Sequence, residues 1–244
     1  MTPFEVALLV AGGALAGVVN TLAGGGSLLT VPLLTFAGLP ADVANGTNRV
    51  GILIQNGVAS WGFWHEGVPG FRGAAPRVLP VVAGAVTGAY GIAQLDAATF
   101  QRVFGVVMLV LLIPTLRGAR SEEPSRQLPP ALRALVFFGI GLYGGAFQAG
   151  VGILILYVLS LAGADLVHSN SIKVVLNSCF TLVVLPIFLL AGQVAWLPAL
   201  ALGAGFALGG LLGPRLAVRG GARLIRPVLG VSVVALAGRM LGLY

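Results

Sequence analysis

Charge is what this chain lacks. Of its 244 residues only 9% are charged, seven of them acidic, while 57% are hydrophobic. A soluble domain carries roughly 25% charged residues. Fourteen basic and seven acidic side chains cannot coat the surface of a water-soluble fold of this size, which excludes one and puts the chain in a bilayer. Cysteine is almost missing too. Cys179 stands alone in the apolar stretch Val174 to Leu190, so an intrachain disulfide or thiolate metal cluster is excluded and packing is its expected role. The two histidines, His65 and His168, sit at element ends beside Glu66 and Ser169 as interfacial residues, too few to build a metal site.

Carboxylates are absent where chemistry inside a membrane would need them. Glu5, Asp42, Glu66, Asp96, Glu122, Glu123 and Asp165 all fall at the ends of apolar runs or between them. A carboxylate proton relay, an intramembrane hydrolase and a phosphatase each lack their acids, bases and ligands. No enzyme, metal or cofactor is therefore expected. The net charge of +7 does not point to nucleic acid, because the basic residues lie between apolar runs and do not cluster with aromatics. The N-terminal MTPFE has no basic stretch and carries Glu5, so a cleaved signal peptide is not expected.

What is present is apolar sequence broken by glycine. Thirty-seven glycines and fourteen prolines fit transmembrane helices, some of them interrupted. Ten stretches can be drawn, at 5–21, 24–39, 48–64, 75–93, 99–116, 134–148, 150–163, 171–191, 194–212 and 224–243. The second and seventh fall short of the roughly 20 residues an upright spanning helix needs, and either cross under strain or re-enter. One clearly hydrophilic segment, Arg117 to Arg133, divides the chain. The halves echo each other at an offset of about 124 to 126: AGGGSLLTVPLLTFAG at 23–38 with AGVGILILYVLSLAG at 149–163, and NGTNR at 45–49 with SNSIK at 169–173. This predicts an all-α, polytopic membrane protein of about ten elements in two inverted five-element repeats: 1–117, a cytoplasmic linker at 118–133, and 134–244.

Arginine placement supports the inversion, since cytoplasmic loops collect basic residues. With the linker inside and all ten elements crossing, inside loops hold Arg72 and Arg77, then Arg117, Arg120, Arg126 and Arg133, then Arg215, Arg219 and Arg223, while the outside loops proper hold none. Both termini then lie outside. With re-entrant short elements and four crossings per half, the arginine-rich 213–223 loop would land outside.

The sharpest local signal is Asn20-Thr21-Leu22-Ala23-Gly24-Gly25-Gly26-Ser27. An unwound stretch at membrane depth survives only where it is buried in protein or lines a polar cavity. The helix start at Ser27 would offer free N–H groups and a positive dipole end to an anion. The matching break has Gln148, Gly150 and Gly152, and paired interruptions of this kind point to a transporter's midplane site. Close packing of glycine is the alternative use. No P-loop lysine follows, which excludes nucleotide binding.

Beyond each short element come Asn45, Thr47, Asn48 and Arg49, and in the second half Asn170, Ser171 and Lys173, the chain's sole lysine. The polar residues are expected to cap the next helix, and the two cations either to attract an anion or to snorkel to the interface. Asn56 and Asn177 lie deeper, where an amide must bond across helices or to substrate. Gly84-xxx-Gly88 and Gly205-xxx-Gly209 read as packing faces.

The run NTLAGGGSLLTVPLLTFAGLPADVANGTNRVG at 20–51, with its second copy from Gly144 to Lys173, resembles the TauE/SafE sulfite exporter family, also called TSUP or DUF81. The second copy departs by Val151 and Ile153 where the first has Gly25 and Ser27. The resemblance implies a multi-pass protein of the bacterial cytoplasmic membrane that moves small anions such as sulfite, thiosulfate, sulfoacetate or other sulfonates. The reading is a secondary transporter, an exporter, working by alternating access. An importer, a channel, and a membrane enzyme or assembly subunit are the alternatives. Its expected partners are the anion and the bilayer, and a homo-oligomer is compatible with the sequence.

Overall fold

A computed structural model describes residues 1–96, 98–100, 102, 103, 106 and 129–220. The expected element at 99–116 lies mostly, and that at 224–243 wholly, outside the described residues, together with most of the linker.

The described elements are all helices: α1 (Pro3–Ala23), α2 (Ser27–Phe36), α3 (Ala41–His65), α4 (Phe71–Ala93), α5 (Pro130–Phe147), α6 (Val151–Leu161), α7 (Leu166–Leu190) and α8 (Trp196–Val218). Their lengths form one pattern twice, 21, 10, 25 and 23 residues and then 18, 11, 25 and 23. Local chemistry sets several ends. The Thr2 hydroxyl accepts from the Glu5 amide at 3.3 Å and the Glu5 carboxylate accepts from the Thr2 amide at 2.8 Å, a capping box that starts α1. Asp165 caps α7 by accepting from the amides of Val167 and His168 at 2.9 and 3.0 Å.

Four of the described helices, α1, α5, α7 and α8, are long and apolar enough to cross a membrane. The sides of the bundle expose Leu79, Tyr90, Leu135, Leu182 and Leu190, while Asn20, Asn48, Arg49, Gln55, Asn56, Lys173 and Asn177 are buried. Polar inside and apolar outside is the arrangement of a multi-pass membrane protein.

Packing interleaves the two sets. α1 lies against α8 and α4 against α5, while α3 packs on both α7 and α8, and α7 also on α4. Small residues make the tightest seams. Gly84 and Gly88 face the α5 backbone at Phe138 and Leu142, and Gly205 and Gly209 face the α1 backbone at Val10 and Ala14. Both GxxxG pairs are therefore helix-packing faces. α2 folds back along α1, with Gly26 beside Ala16 and Asn20, and Leu33 beside Gly12.

The structure corrects the expected helix starts. α3 begins at Ala41 and α7 at Leu166, so Asn45 to Arg49 and Asn170 to Lys173 lie inside helices one or two turns from the start and do not cap them. These residues are buried, and neighbouring helices supply the partners that let polar side chains sit there. Arg72 and Arg77 belong to the first two turns of α4, and Arg215 to the last turn of α8, not to loops.

Candidate functional site

A helix that stops at membrane depth leaves its last carbonyls without intrahelical partners. α1 stops at Ala23 because Gly24 takes a left-handed conformation, φ 77°. The carbonyls of Asn20, which still accepts from the Gly24 amide at 2.8 Å, Thr21 and Leu22 lie at the break. Lys173 of α7 answers two of them: its Nζ donates to Asn20 O at 2.6 Å and Thr21 O at 2.8 Å, and to Asn170 Oδ1 at 2.7 Å. Asn170 Nδ2 donates to Leu22 O at 3.0 Å.

The second break repeats the device with the partners exchanged. α5 stops at Phe147, and Arg49 of α3 donates to its last carbonyls: Nη1 to Gly144 O at 3.2 Å, Nη2 to Gly145 O at 2.5 Å and to Ala146 O at 3.1 Å. Nη1 also donates to Gln148 Oε1 at 3.0 Å. Asn45 Nδ2 joins at Ala146 O, 2.9 Å. The Arg49 guanidinium carbon also stands 4.1 Å from the centre of the Phe188 ring. Arg49 and Lys173 are both 0% exposed, so neither snorkels. Each half of the chain supplies a cation that neutralises the negative helix end of the other half.

The breaks touch. A Cβ on Gly152 would lie 2.5 Å from Gly24 Cα, and one on Gly24 would lie 2.6 Å from Gly152 Cα, so only glycine at both positions lets the chains meet. Around the first break runs a buried hydrogen-bond network. Asn20 Nδ2 donates to Gln55 Oε1 at 2.6 Å, Gln55 Nε2 to Thr21 Oγ1 at 2.6 Å, and Asn20 Oδ1 accepts from the Gly26 amide at 3.3 Å. Thr30 Oγ1 donates to Asn48 Oδ1 at 2.6 Å. At the second break Thr181 Oγ1 donates to Gln148 Oε1 at 3.4 Å. Ser27 starts α2 and Val151 starts α6, neither with a side-chain cap. The positive ends of both short helices therefore face the crossing while both negative ends carry cations. Gly25 lies between Gly24 and α2, and Gly150, φ 72°, opens α6.

Thr47 and Ser171 are directed elsewhere. Thr47 Oγ1 accepts from the Ala195 amide at 2.9 Å and Ser171 Oγ donates to Val68 O at 2.6 Å, tying α3 and α7 to the segments before α8 and α4. Asn56 and Asn177 are buried, and Asn56 Nδ2, Asn56 Oδ1 and Asn177 Oδ1 have no partner among the described residues. Gln55, Thr30 and Thr181 join the network, though none was among the expected site residues. The available signal was spacing, for Gln55 lies seven residues after Asn48 and so on the same helical face. Among the described residues no group of three or more His, Cys, Asp or Glu side chains gathers.

The family described as sulfite exporter TauE/SafE matches residues 9–240. The chain belongs to the TauE/SafE family. Among its relatives are a protein of Sinorhizobium sp., 28% identical over 97% of this chain and 92% of that one, and a protein of Haemophilus influenzae, 28% identical over 96% and 94%. The Escherichia coli K12 protein YfcA is 26% identical over 99% of this chain and 91% of its own length. All three are named "probable membrane transporter protein". No solved structure matches. The crossing of broken helices thus belongs to a TauE/SafE chain that matches, over nearly their whole length, relatives named as probable membrane transporters.

Proposed function

We propose that this TauE/SafE chain is a secondary transporter that exports small anions across the bacterial cytoplasmic membrane, with sulfite, thiosulfate, sulfoacetate and related sulfonates as its substrate class. One observation carries the reading. At the crossing of the breaks, two buried cations and two positive helix ends are opposed only by two helix carbonyl ends, and no Asp or Glu is buried among the described residues. Each helix end amounts to about half a charge, so the centre keeps an excess of about two positive charges, which favours an anion and repels a cation.

Two inverted five-element repeats, 1–117 and 134–244 joined by a cytoplasmic linker, provide the moving parts. The doubled helix pattern supports this, as does the antiparallel run of the equivalent helices α3 and α7: Arg49 near the start of α3 meets Phe188 near the end of α7. The polar side chains of the crossing are buried. That favours alternating access by rocking of the repeats over a continuous channel. An inside-negative potential favours outward movement of a negative charge by about 2.3 kcal/mol per 100 mV, so export needs no proton relay.

Purified full-length protein in liposomes tests this. Sulfite, thiosulfate or sulfoacetate should leave loaded vesicles faster than from protein-free ones, and faster still under an inside-negative diffusion potential, while sodium does not. Flux that ignores the potential, or none for any of the three anions, would sink the proposal.

A further inference from the structure

The cations at the crossing have almost no donors left for a ligand. Lys173 has three N–H groups and three acceptors. Arg49 has five N–H groups, of which four are matched by Gly144 O, Gly145 O, Ala146 O and Gln148 Oε1. Its Nε alone is buried without a partner among the described residues. The amides of Asn56 and Asn177 show the reverse. They are 0% and 1% exposed, and no hydrogen bond from a described residue reaches Asn56 Nδ2, Asn56 Oδ1 or Asn177 Oδ1. A buried amide with nothing to bond is costly unless a ligand completes it.

The register of α3 against α7 brings these amides to one level. Toward one end, Gln148 Oε1 accepts from both Arg49 of α3 and Thr181 of α7. Toward the other, Phe63 of α3 and Val174 of α7 belong to one buried apolar cluster. Asn56 lies seven residues from both Arg49 and Phe63, and Asn177 lies between Val174 and Thr181, three residues from one and four from the other. Spacings of three, four and seven keep residues on one helical face. Both amides therefore fall midway between the two ties, on the facing sides of antiparallel helices. Ser60, one turn beyond Asn56, adds another buried oxygen without a partner among the described residues.

We propose that Asn56 and Asn177 form the recognition pair for the transported anion at the α3–α7 crossing, and that Arg49 and Lys173 act on it by their field while holding the broken helices. This rests on the transport reading above. The Asn56 NH2 group, buried without a partner among the described residues, would donate to an oxygen of a small sulfur or carboxylate oxyanion. The amide oxygens would accept from a hydroxyl of the ligand or from its hydration water.

Asn56→Leu and Asn177→Leu keep the volume and remove the polar atoms. In purified full-length protein, their melting temperature without anion should equal or exceed the wild-type value, because an unpaired amide is lost. The rise in melting temperature given by sulfite or sulfoacetate should disappear, and the apparent KM for flux into liposomes should climb at least tenfold. Should a leucine variant not reach the membrane, Asn56→Ser or Asn177→Ser takes its place under the same KM criterion. A KM within twofold of wild type, or a fall of several degrees in anion-free melting temperature with KM unchanged, would overturn the pair as ligands. If the wild type carries neither anion and is stabilised by neither, this inference falls together with the transport reading. Wild-type flux with unaltered variants overturns the inference alone.

Discussion

Lys173 shows what a single buried charge does here. Its ammonium group saturates two helix-end carbonyls of α1 and the Asn170 side chain. Lys173→Met preserves length and removes every donor, leaving Thr21 O and Asn170 Oδ1 unmatched among the described residues while Asn20 O keeps the Gly24 amide. The expected cost is about 2–5 kcal/mol, read as a lowered melting temperature in detergent and less folded protein in the membrane. Arg49→Met should cost about as much: it removes four hydrogen bonds, although Gly144 O keeps the Gln148 amide, Ala146 O keeps Asn45 Nδ2 and Gln148 Oε1 keeps Thr181 Oγ1, so that Gly145 O is the acceptor left without a donor among the described residues. Arg49→Lys should fall between, because it keeps the charge but not the planar fork that serves four oxygens. Equal stability of Lys173→Met and wild type would show that the cap contributes little to folding. The polar residues around these cations were visible in the sequence as paired polar segments. Their partners were not, because each cation bonds to backbone about 95 to 153 residues away, and backbone carbonyls leave no mark in composition.

At the scale of elements, the decisive contact is between two interruptions. Gly152→Ala adds a methyl group 2.5 Å from Gly24 Cα and 2.8 Å from Gly24 O, and backbone on both sides cannot move aside as a side chain would. A loss of about 1–3 kcal/mol follows from overpacking, with loss of transport if the crossing is the site. Gly57→Ala is the matching control. Gly57 is an exposed residue of α3 whose added Cβ meets nothing within 4 Å, so alanine should stabilise by about 0.5–1 kcal/mol. Thermal melts of the two variants beside wild type test both signs at once. The break at Gly24 to Gly26 was legible because three glycines in an apolar run contradict a continuous helix. The start of α3 was not: Ala41 to Thr47 lacks the apolar run by which membrane helices are recognised, and only burial against neighbouring helices makes a helix of it.

For the molecule as a whole, topology is the open consequence of the repeat. The proposed inverted arrangement would put Ser121 on the cytoplasmic side and the segment at 94–98 outside. In a Cys179→Ser background, a membrane-impermeant thiol reagent added to intact cells should label Gln94→Cys and should reach Ser121→Cys only after the membrane is opened. Labelling of Ser121→Cys in intact cells would refute the five-plus-five inversion.

The sequence by itself determined the solvent, the helical class and the positions of the two interruptions. Those follow from quantities local to the chain: apolar run length, scarcity of charge, and glycine where a helix should continue. It also displayed the duplication, since a repeat is a relation between two stretches of text. Only the tertiary structure decided what the polar residues do. It assigned Arg49 and Lys173 to the helix ends of the opposite half, sent Thr47 and Ser171 away from the crossing, and left Asn56 Nδ2, Asn56 Oδ1 and Asn177 Oδ1 without a partner among the described residues. The physical reason is that a buried polar group is defined by what reaches it. In an interleaved bundle the groups that reach it come from the other half of the chain, through carbonyls that every residue type carries alike.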